Sequence, residues 1–597
     1  MRVNLAYLFA AVAAVGASAC GGGADSSPTP PAPLSAPAPA PGSMPRQAPP
    51  PAPAPAPGPA LSPAPGPAPQ DGFTIAGVEL GQALLFPSGD AALVLVSNRA
   101  VLAKFNVTAN HAATAKPSGV VRIEDAAGHL LRELALAAPS GALPADAPLR
   151  PSFGDSYTAV IPAALVQPGM RLIPQLTPAA ANQTAFAPRV GGGATLHLVA
   201  IPIQIGSAVG QVVDRADTYL LARLPVANVT REDHAPFVSR AVTQLPKTAA
   251  QWNDAFPRIL NELDDLRLLE NASAHTYYYG FVPKTSFGVG GIGFRPGNAA
   301  LGLDVPNQPE VAKETMAHEL GHNLTLQHAP CGAPATVDAQ YPYANAQLGA
   351  GSRFIWGYDA EARRFIDPTP TDAHDLMSYC SGDWFSDYNY RKMQAHLSAE
   401  DPTLSVSAEP ASLDTVQELL MVTGQIRDGE LQLQPLKPMH GNPRWPDRDG
   451  PYLVRITTQQ GATIEHRFAA SEFDHLPQHQ RFGFAIPHPG AIAKFEVLLD
   501  GQILALKEPR KRAQAAGSEV APPPLQASEL GAVLRLTWDA ARYPYLAVTH
   551  LGAKRTALAI DLEGGSAVLP VSALPPGGRF EFGLSDGLNG QRMLRDR

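Results

Sequence analysis

The chain has 597 residues, more than one hydrophobic core accommodates, so several domains are expected. Its 45 lysines and arginines are outnumbered by 53 aspartates and glutamates, which gives a formal charge of -8 and no basic excess for binding nucleic acid. The three cysteines, Cys20, Cys331 and Cys380, are too few for a disulfide-dense scaffold or a cysteine-based zinc cluster.

Residues 1–19 are predicted to be a signal peptide. Arg2 supplies a positive charge, and the apolar run from Leu5 to Val15 has the length of an export-signal core. The run ends in Ala17-Ser18-Ala19-Cys20, which resembles a bacterial lipobox, where the cysteine is lipidated. The resemblance implies a membrane anchor at Cys20 and a place in the bacterial cell envelope, as an outer-membrane lipoprotein or a secreted protein. Ordinary cleavage after small residues is the alternative.

Residues 20–71 are predicted to be a tether, and most of this segment is proline and alanine. Such a composition has no apolar face to bury and favours extended polyproline II, at about 3.1 Å per residue. A proline-rich ligand for an SH3-type domain is the alternative, but Arg46 is the single basic residue among the prolines. We interpret the segment as a stalk.

Residues 72–192 are predicted to form an all-β domain. Val101, Ala103, Phe105 and Val107 stand at every second position, Lys104 and Asn106 lie between the last three of them, and glycine and proline separate the short runs. A period of two is typical of strands with one buried face. Short strands at this spacing favour an immunoglobulin-like sandwich.

Residues 193–400 alternate strands with helices, which predicts an α/β domain. Leu196 to Ile205 and Tyr277 to Val282 are apolar runs of strand length. Between them, Ala249 to Glu270 has apolar residues at three- and four-residue steps, the pattern of a helix packed on a core. The glycine-rich run from Phe287 to Phe294 is weak evidence for phosphate binding, because no P-loop lysine follows it.

The β pattern returns after the α/β domain. Residues 401–509 are predicted to be a second sandwich, with a hairpin turn at Asp500-Gly501. Residues 510–524 are predicted to be a linker, and residues 525–597 a last β domain.

The residues that carry chemistry lie between His318 and His328, on a helix predicted to begin at Pro309. His318 and His322 are four residues apart, so both project from one helical face and can reach one Zn²⁺. Glu319 lies beside them and is expected to activate the water held by zinc and to protonate the leaving amine. His328 is the candidate third ligand. An unbroken helix would place it about 240° further round, so the chain must turn after His322.

These residues resemble the metzincin metalloproteases, whose pattern is H-E-x-x-H-x-x-G-x-x-H. The three histidines and the glutamate match, which implies that they bind Zn²⁺ and carry out catalysis. Thr325 stands where the family has its turn glycine, and left-handed backbone there costs on the order of 1–2 kcal/mol. Asn323, which tolerates that conformation, is the alternative place for part of the bend. The competing interpretations are ordinary helix histidines or a metal-free relative.

The metzincin resemblance extends to Asp375-Leu376-Met377-Ser378-Tyr379-Cys380. This segment is similar to the family's Met-turn, which implies that Met377 underlies the histidines and that Tyr379 stabilises the oxyanion. Cys331 and Cys380 then flank one metal site, and we expect a disulfide between them, with free thiols as the alternative. The resemblance also implies that the glycine-rich strand pairs with substrate backbone.

The whole arrangement is similar to bacterial secreted metalloproteases of the ToxR-regulated lipoprotein type, some of which cleave mucin-like glycoproteins. The expected fold is multidomain, with an α/β metzincin-like catalytic domain flanked by all-β, immunoglobulin-like sandwich domains. The expected function is that of a monomeric zinc endopeptidase tethered to the cell surface, acting on proteins or glycoproteins. A surface adhesin or glycan-binding protein with an inactive protease-like domain is the alternative.

Overall fold

The computed structural model describes residues 72–110, 116–283, 290–399, 416–446, 450–509 and 523–597. The predicted signal peptide, the lipidation site at Cys20, the stalk and most of the predicted 510–524 linker lie outside these ranges. Within them the chain is mostly β, with four α-helices and several sheets, which confirms the prediction of a multidomain, β-rich protein. No helix in the described part is both long and apolar enough to cross a membrane.

The first unit is built from strands. They are β1 (Phe73–Gly81), β2 (Leu84–Pro87), β3 (Val94–Val96), β4 (Val101–Ala109), β5 (Ser118–Glu124), β6 (Leu130–Ala135), β7 (Tyr157–Ile161), β8 (Arg171–Thr177) and β9 (Arg189–Gly191), with a 3-10 turn at Ala163–Leu165. All nine residues of β4 are buried, because β4 is paired by β1 on one edge and β7 on the other and has both faces covered. The predicted alternation in β4 therefore marks a strand, but not one with an exposed face.

The second unit carries the helices. Its elements are β10 (Thr195–Ile205), β11 (Ala208–Val209), α1 (Ala216–Arg223), β12 (Asn228–Asp233), β13 (Phe237–Val238), α2 (Ala249–Leu269), β14 (Thr276–Val282), β15 (Gly291–Arg295), β16 (Ala299–Leu303), α3 (Pro309–Asn323), β17 (Trp356–Asp359), β18 (Arg364–Ile366) and α4 (Asp387–Ala399), with a 3-10 turn at Ala344–Ala346. Strands β12, β10, β14 and β16 run parallel in that order, and β15 pairs antiparallel with β16.

Helix α2 confirms the predicted core stripe. It begins after Thr248, whose hydroxyl accepts a hydrogen bond from the backbone N–H of Gln251. The apolar residues at three- and four-residue steps are completely buried, namely Trp252, Phe256, Ile259, Leu263 and Leu266. The helix packs on β14 and β16, while α3 packs on β15 and β16.

The last two units are again built from strands. The third contains β19 (Gln417–Arg427), β20 (Glu430–Leu433), β21 (Lys437–Gly441), β22 (Tyr452–Thr458), β23 (Thr463–Phe468), β24 (Ser471–Phe473), β25 (Leu476–Pro487), β26 (Ile492–Leu499) and β27 (Gln502–Lys507). The fourth contains β28 (Leu525–Leu530), β29 (Val533–Trp538), β30 (Tyr545–Leu551), β31 (Arg555–Leu562), β32 (Ser566–Pro570), β33 (Arg579–Ser585) and β34 (Gly590–Asp596). The predicted hairpin turn is confirmed, since Asp500 and Gly501 have φ of 50° and 81° between β26 and β27.

Two sheets cross the predicted domain boundaries, which themselves stay predictions. Strand β17 of the second unit pairs with β2 of the first. Strand β24 of the third unit pairs antiparallel with β15, with Phe473 opposite Phe294 and Glu472 opposite Arg295. The third unit therefore adds a strand directly to the edge of the sheet that supports α3.

Candidate metal centre

Helix α3 carries the predicted motif into the protein interior. Pro309 occupies the first turn, where its missing N–H is harmless, and Glu310 lies at the positive end of the helix dipole. The carboxy-terminal half is buried on all sides, because β15 and β16 cover one face and the 375–380 turn covers the other. His318, Glu319 and His322 therefore have exposures of 3%, 0% and 1%.

The helix ends one residue after His322, and the chain reverses at Thr325. The backbone N–H of Leu326 donates to the carbonyl of Gly321, and the N–H of Thr325 donates to that of His322, both within 3.0 Å. These two bonds form a Schellman motif, whose left-handed position is usually glycine. Thr325 fills that position with φ of 77°. The proposed sharing of the bend by Asn323 is wrong: Asn323 is the last helical residue, and its amide donates to two strand carbonyls.

This turn brings the three predicted histidines together. The Nε2 atom of His322 lies 3.2 Å from Nε2 of His318 and 3.2 Å from Nε2 of His328. Two nitrogens bound to one tetrahedral zinc at about 2.0–2.1 Å are about 3.3 Å apart, so the observed spacing suits a single metal ion. The side chains of all three residues are buried.

Backbone carbonyls fix the orientation of each ring. The Nδ1 atom of His318 lies 2.8 Å from the Leu376 carbonyl. The Nδ1 atom of His322 lies 2.8 Å from the Leu326 carbonyl, and that of His328 lies 3.0 Å from the Thr336 carbonyl. A carbonyl can only accept, so Nδ1 carries the proton in each ring and Nε2 keeps its lone pair.

The same environment keeps the rings neutral. Burial lowers the pKa of His318 to about 4, and it lowers the pKa of His322 and His328 well below the ordinary value. Three neutral imidazoles with converging lone pairs are a donor set for a transition-metal ion.

Glu319 lies against the glycine-rich strand. A β-carbon on Gly291 would be 2.5 Å from Oε1 of Glu319, and one on Gly293 would be 2.9 Å from its carbonyl oxygen. These two glycines therefore make room for Glu319 and its helix. Apart from the contact of its carboxyl group with that of Asp474, Glu319 has no side-chain hydrogen bond among the described residues. Burial, followed by the charge of Asp474, raises the pKa of Glu319 well above its ordinary value.

Met377 lies under the helix, in the turn that the sequence singles out. Asp375 holds this turn, because its two carboxylate oxygens accept from the backbone N–H groups of Met377 and Ser386, each at 2.7 Å. The Met377 carbonyl accepts from the N–H of Ala329, one residue beyond His328. The turn thus binds directly to the loop that carries the third histidine.

The expected disulfide is present between Cys331 and Cys380, with Cα atoms 5.7 Å apart. It joins the loop after His328 to the end of the methionine turn, and the N–H of Tyr379 donates to the Cys331 carbonyl. The Tyr379 hydroxyl lies 3.2 Å from Nε2 of His328. Burial raises the pKa of Tyr379 well above its ordinary value, so the hydroxyl keeps its proton.

Two further residues, which the sequence did not indicate, lie at the site. Oδ2 of Asp474 lies 3.3 Å from Nε2 of His322, and Nδ1 of His475 lies 2.7 Å from the Tyr379 hydroxyl. Both residues belong to the turn between β24 and β25, in the third unit. An Asp-His pair with no motif around it carries no recognisable signal, and only the pairing of β24 with β15 brings it here.

The glycine-rich strand, which is expected to pair with substrate backbone, has its edge over Gly293–Arg295 occupied by the chain itself, and the expected pairing with substrate stays a prediction. Phe294 and Arg295 pair with β24, and the N–H of Asp474 donates to the carbonyl of Gly293. The part of the predicted strand at residues 284–289 lies outside the described residues.

Comparison with known proteins places the site in a peptidase context. The family model for Peptidase M66, a metallopeptidase family, matches residues 282–402, the segment that contains all three histidines. Dictomallein from Burkholderia pseudomallei and dictomallein from Burkholderia mallei are each 27% identical to this chain over 353 residues, covering 48% of both sequences. The chain thus spans about half the length of the curated relatives it matches.

Among solved structures, a β-glycosidase from Bacteroides vulgatus aligns with 88% of this chain and 80% of its own, at 8% identity. Its TM-score of 0.13 carries no argument about fold or function. The family match and the histidine cluster together support a peptidase of the metallo type.

Proposed function

We propose that this protein is a zinc-dependent endopeptidase that hydrolyses peptide bonds of extracellular proteins or glycoproteins. The observation that carries the proposal is the convergence of three histidine Nε2 atoms beside a buried glutamate, within the segment that the Peptidase M66 model matches. Neither a structural helix nor an adhesin needs three neutral imidazoles aimed at one point.

The residues present fit zinc better than they fit a hard cation. Mg²⁺ and Ca²⁺ prefer oxygen ligands, whereas zinc binds imidazole nitrogen in tetrahedral geometry. In this proposal His318, His322 and His328 hold the metal through Nε2, as the resemblance to metzincins implies. Bound zinc would polarise the peptide carbonyl and lower the pKa of a water molecule.

Three other residues carry out proton transfer, stabilisation of the oxyanion and support of the histidines. The Glu319 carboxylate, which is buried beside the histidines, takes a proton from the attacking water and delivers it to the leaving amine. The protonated Tyr379 hydroxyl, 3.2 Å from Nε2 of His328, donates a hydrogen bond to the oxygen that becomes negatively charged. Met377 supports the histidines from below.

The proposal also covers the domain organisation and the location of the protein. Residues 193–400 would form the metzincin-like unit, and the remaining units would be sandwich modules around it. Export through residues 1–19 and lipidation at Cys20 would tether a monomer to the bacterial cell surface, as in metalloproteases of the ToxR-regulated lipoprotein type. The net negative charge of the chain disfavours a nucleic-acid substrate.

The test compares Glu319→Gln with wild type in the full chain, by zinc content and by cleavage of casein and mucin. We expect one equivalent of zinc in both proteins and a fall in kcat/KM of at least about a thousandfold in the variant, because only the proton transfer is lost. Glu310→Gln is the matched control, since Glu310 is an exposed carboxylate on the same helix. Wild-type protein that binds no zinc, or a Glu319→Gln variant as active as wild type, contradicts the proposal.

A further inference from the structure

The turn between β24 and β25 brings a carboxylate from the third unit into the histidine cluster. Asp474 is completely buried at this point: its side chain has 0% exposure. Oδ1 accepts a hydrogen bond from the backbone N–H of Gly293 at 3.1 Å, which fixes the orientation of the carboxylate. Oδ2 then points toward the histidines, 3.3 Å from Nε2 of His322, and one carboxylate oxygen of Asp474 lies within 4.8 Å of a ring nitrogen of His328.

The Asp474 Oδ2 atom is buried without a well-oriented donor among the described residues. The nearby carboxyl of Glu319, which has an oxygen within 4.8 Å of an Asp474 oxygen, adds a second acidic group at this point and no cation. Nε2 of His475 is 2.8 Å from Oδ2 of Asp474, but it also has no well-oriented partner among the described residues, so the two atoms do not form a good hydrogen bond. An anionic oxygen removed from water requires a cation or donors. A metal ion between the histidines would meet that requirement, and 3.3 Å is about the separation of two ligand atoms on one tetrahedral zinc.

We propose that Asp474 is a fourth protein ligand of the metal, supplied in cis by the β24–β25 turn, and that the strand carrying it occupies the place of a substrate backbone. The inference rests on the proposed function for the identity of the metal. A catalytic zinc site keeps one position open for water or substrate, whereas four protein ligands close it. The described arrangement is therefore a resting state that must open before a peptide can be cleaved.

The backbone contacts of the same segment support this interpretation. Strand β24 pairs antiparallel with β15, and Arg295 forms an ion pair with Glu472. An extended peptide adds to a sheet edge through the same kind of main-chain hydrogen bonds. Substrate and β24 would then compete for one edge, and the apparent affinity for substrate would be reduced by the fraction of molecules that are closed.

Opening would also release the tyrosine. Nδ1 of His475 holds the Tyr379 hydroxyl at 2.7 Å, so the group proposed to stabilise the oxyanion is engaged while Asp474 is in place. Withdrawal of one turn would thus free the fourth metal position, the sheet edge and the tyrosine together.

The test uses the full chain as wild type, as Asp474→Asn and as Glu472→Gln. Glu472 is the matched control, because it loses the same charge on the same strand but pairs with Arg295 instead of facing the histidines. Three properties are measured: the zinc dissociation constant by chelator competition, the visible spectrum of the Co²⁺-loaded protein, and the affinity of the Co²⁺-loaded protein for acetohydroxamate.

For Asp474→Asn we expect zinc to bind at least about tenfold more weakly, because a ligand is lost. The cobalt spectrum should change, and acetohydroxamate should bind at least about tenfold more tightly, because the closed state is removed. Glu472→Gln should match wild type in zinc affinity and in the cobalt spectrum, because the metal ligand is kept. It should bind acetohydroxamate only slightly more tightly than wild type, because the partly exposed ion pair with Arg295 contributes little to the closed state. An Asp474→Asn protein whose zinc affinity and cobalt spectrum equal those of wild type overturns the inference.

Peptidase activity, measured in parallel, separates the two proposals. If neither wild type nor Asp474→Asn cleaves any peptide but the metal properties change as expected, the proposed function fails and the ligand assignment stands. If wild type cleaves casein and the metal properties do not change, the reverse holds. Should Asp474→Asn not fold, anomalous diffraction from wild-type crystals loaded with zinc decides: an Asp474 oxygen about 2.0–2.2 Å from zinc supports the inference, and a water there instead overturns it.

Discussion

Gly321 lies so close to Met377 that a β-carbon on residue 321 would be 2.6 Å from the methionine Sδ. Gly321 is the residue before His322 on α3, and Met377 is completely buried in the turn below it. The helix with two of the histidines therefore contacts the turn beneath it at a glycine, because any side chain at this position would collide with Met377. The methionine supports the site through this contact.

Gly321→Ala is expected to push α3 away from Met377. Overpacking of this kind costs about 1–3 kcal/mol of unfolding free energy, and a displaced His322 should weaken zinc binding by at least about tenfold. Urea unfolding and chelator competition measure the two effects. The control is Gly89→Ala, where a β-carbon meets nothing within 4 Å. A Gly321→Ala protein with wild-type zinc affinity would show that this contact is not needed to hold the histidines in place.

Thr325 occupies a backbone conformation that β-branched residues avoid. Its φ of 77° places it in the left-handed position that ends α3. Thr325→Gly should raise the unfolding free energy by roughly 0.5–1 kcal/mol, because relief of the steric cost exceeds the entropy that glycine adds to the unfolded chain.

The control for this prediction is Thr325→Ala. Alanine also removes the hydroxyl and the methyl group but keeps the β-carbon, so it should retain most of the steric cost. Urea unfolding at pH 7 should therefore rank the glycine variant above the alanine variant by about 1 kcal/mol. Equal stability of the two variants would mean that the conformation at residue 325 stores no steric cost.

Some features of the metal centre can be predicted from the sequence, and others cannot. The histidine spacing, the start of α3 at Pro309 and the bend at Thr325 are local features, and local geometry determines them. Asp474 is different, because it reaches the histidines through strand pairing between residues about 180 positions apart. Such a register depends on how whole units pack, and no short pattern encodes it.

The glycine-rich strand illustrates the same limit. Its glycines predict a close approach, and the structure has one, but the approaching group at Gly291 is the protein's own Glu319. A glycine in a strand indicates that another group approaches the backbone closely, but it does not indicate which group. The strand pairing of β17 with β2 was hidden for the same reason, since each strand is short and unremarkable in sequence.

The disulfide between Cys331 and Cys380 closes a loop with a sequence separation of 49. The chain-entropy relation for a loop of this length gives about 4 kcal/mol of stabilisation, and measured values are commonly 2–4 kcal/mol. Cys331→Ser with Cys380→Ser should therefore lower the unfolding free energy by a few kcal/mol. It should also weaken zinc binding, since the bridge joins the loop after His328 to the methionine turn.

Reduction of the wild-type protein supplies the control for that double variant. A thiol reductant should shift wild type to the stability of the double serine variant and leave the variant itself unchanged. If the variant unfolds at the same urea concentration as oxidised wild type, the bridge contributes nothing to stability.

Helix α2 and strand β25 are joined by buried charges. Nε of Arg481 lies 3.3 Å from Oδ2 of Asp264, and its Nη2 lies 2.5 Å from Oδ1 of Asp265. Arg267 also donates to Asp264. Burial raises the pKa of Asp264, but the charges of Arg267 and Arg481 lower it by more, so the net shift is below the ordinary value. This network holds the strand that follows the Asp474 turn.

Asp264→Asn should therefore destabilise the protein in a way that depends on pH. A carboxylate with a lowered pKa in the folded state adds stability above its unfolded pKa of about 3.9, and this stability disappears as pH falls through the folded pKa. At pH 7 the variant should lose on the order of 3 kcal/mol, because Arg481 is left partly unpaired, and the difference from wild type should shrink as pH falls below about 4. Urea unfolding from pH 7 to pH 3 measures this. Asp254→Asn, which removes an exposed carboxylate paired with Arg258 on the same helix, should change stability little at any pH. A constant difference between Asp264→Asn and wild type across this range would show that the charge on Asp264 does not stabilise the junction.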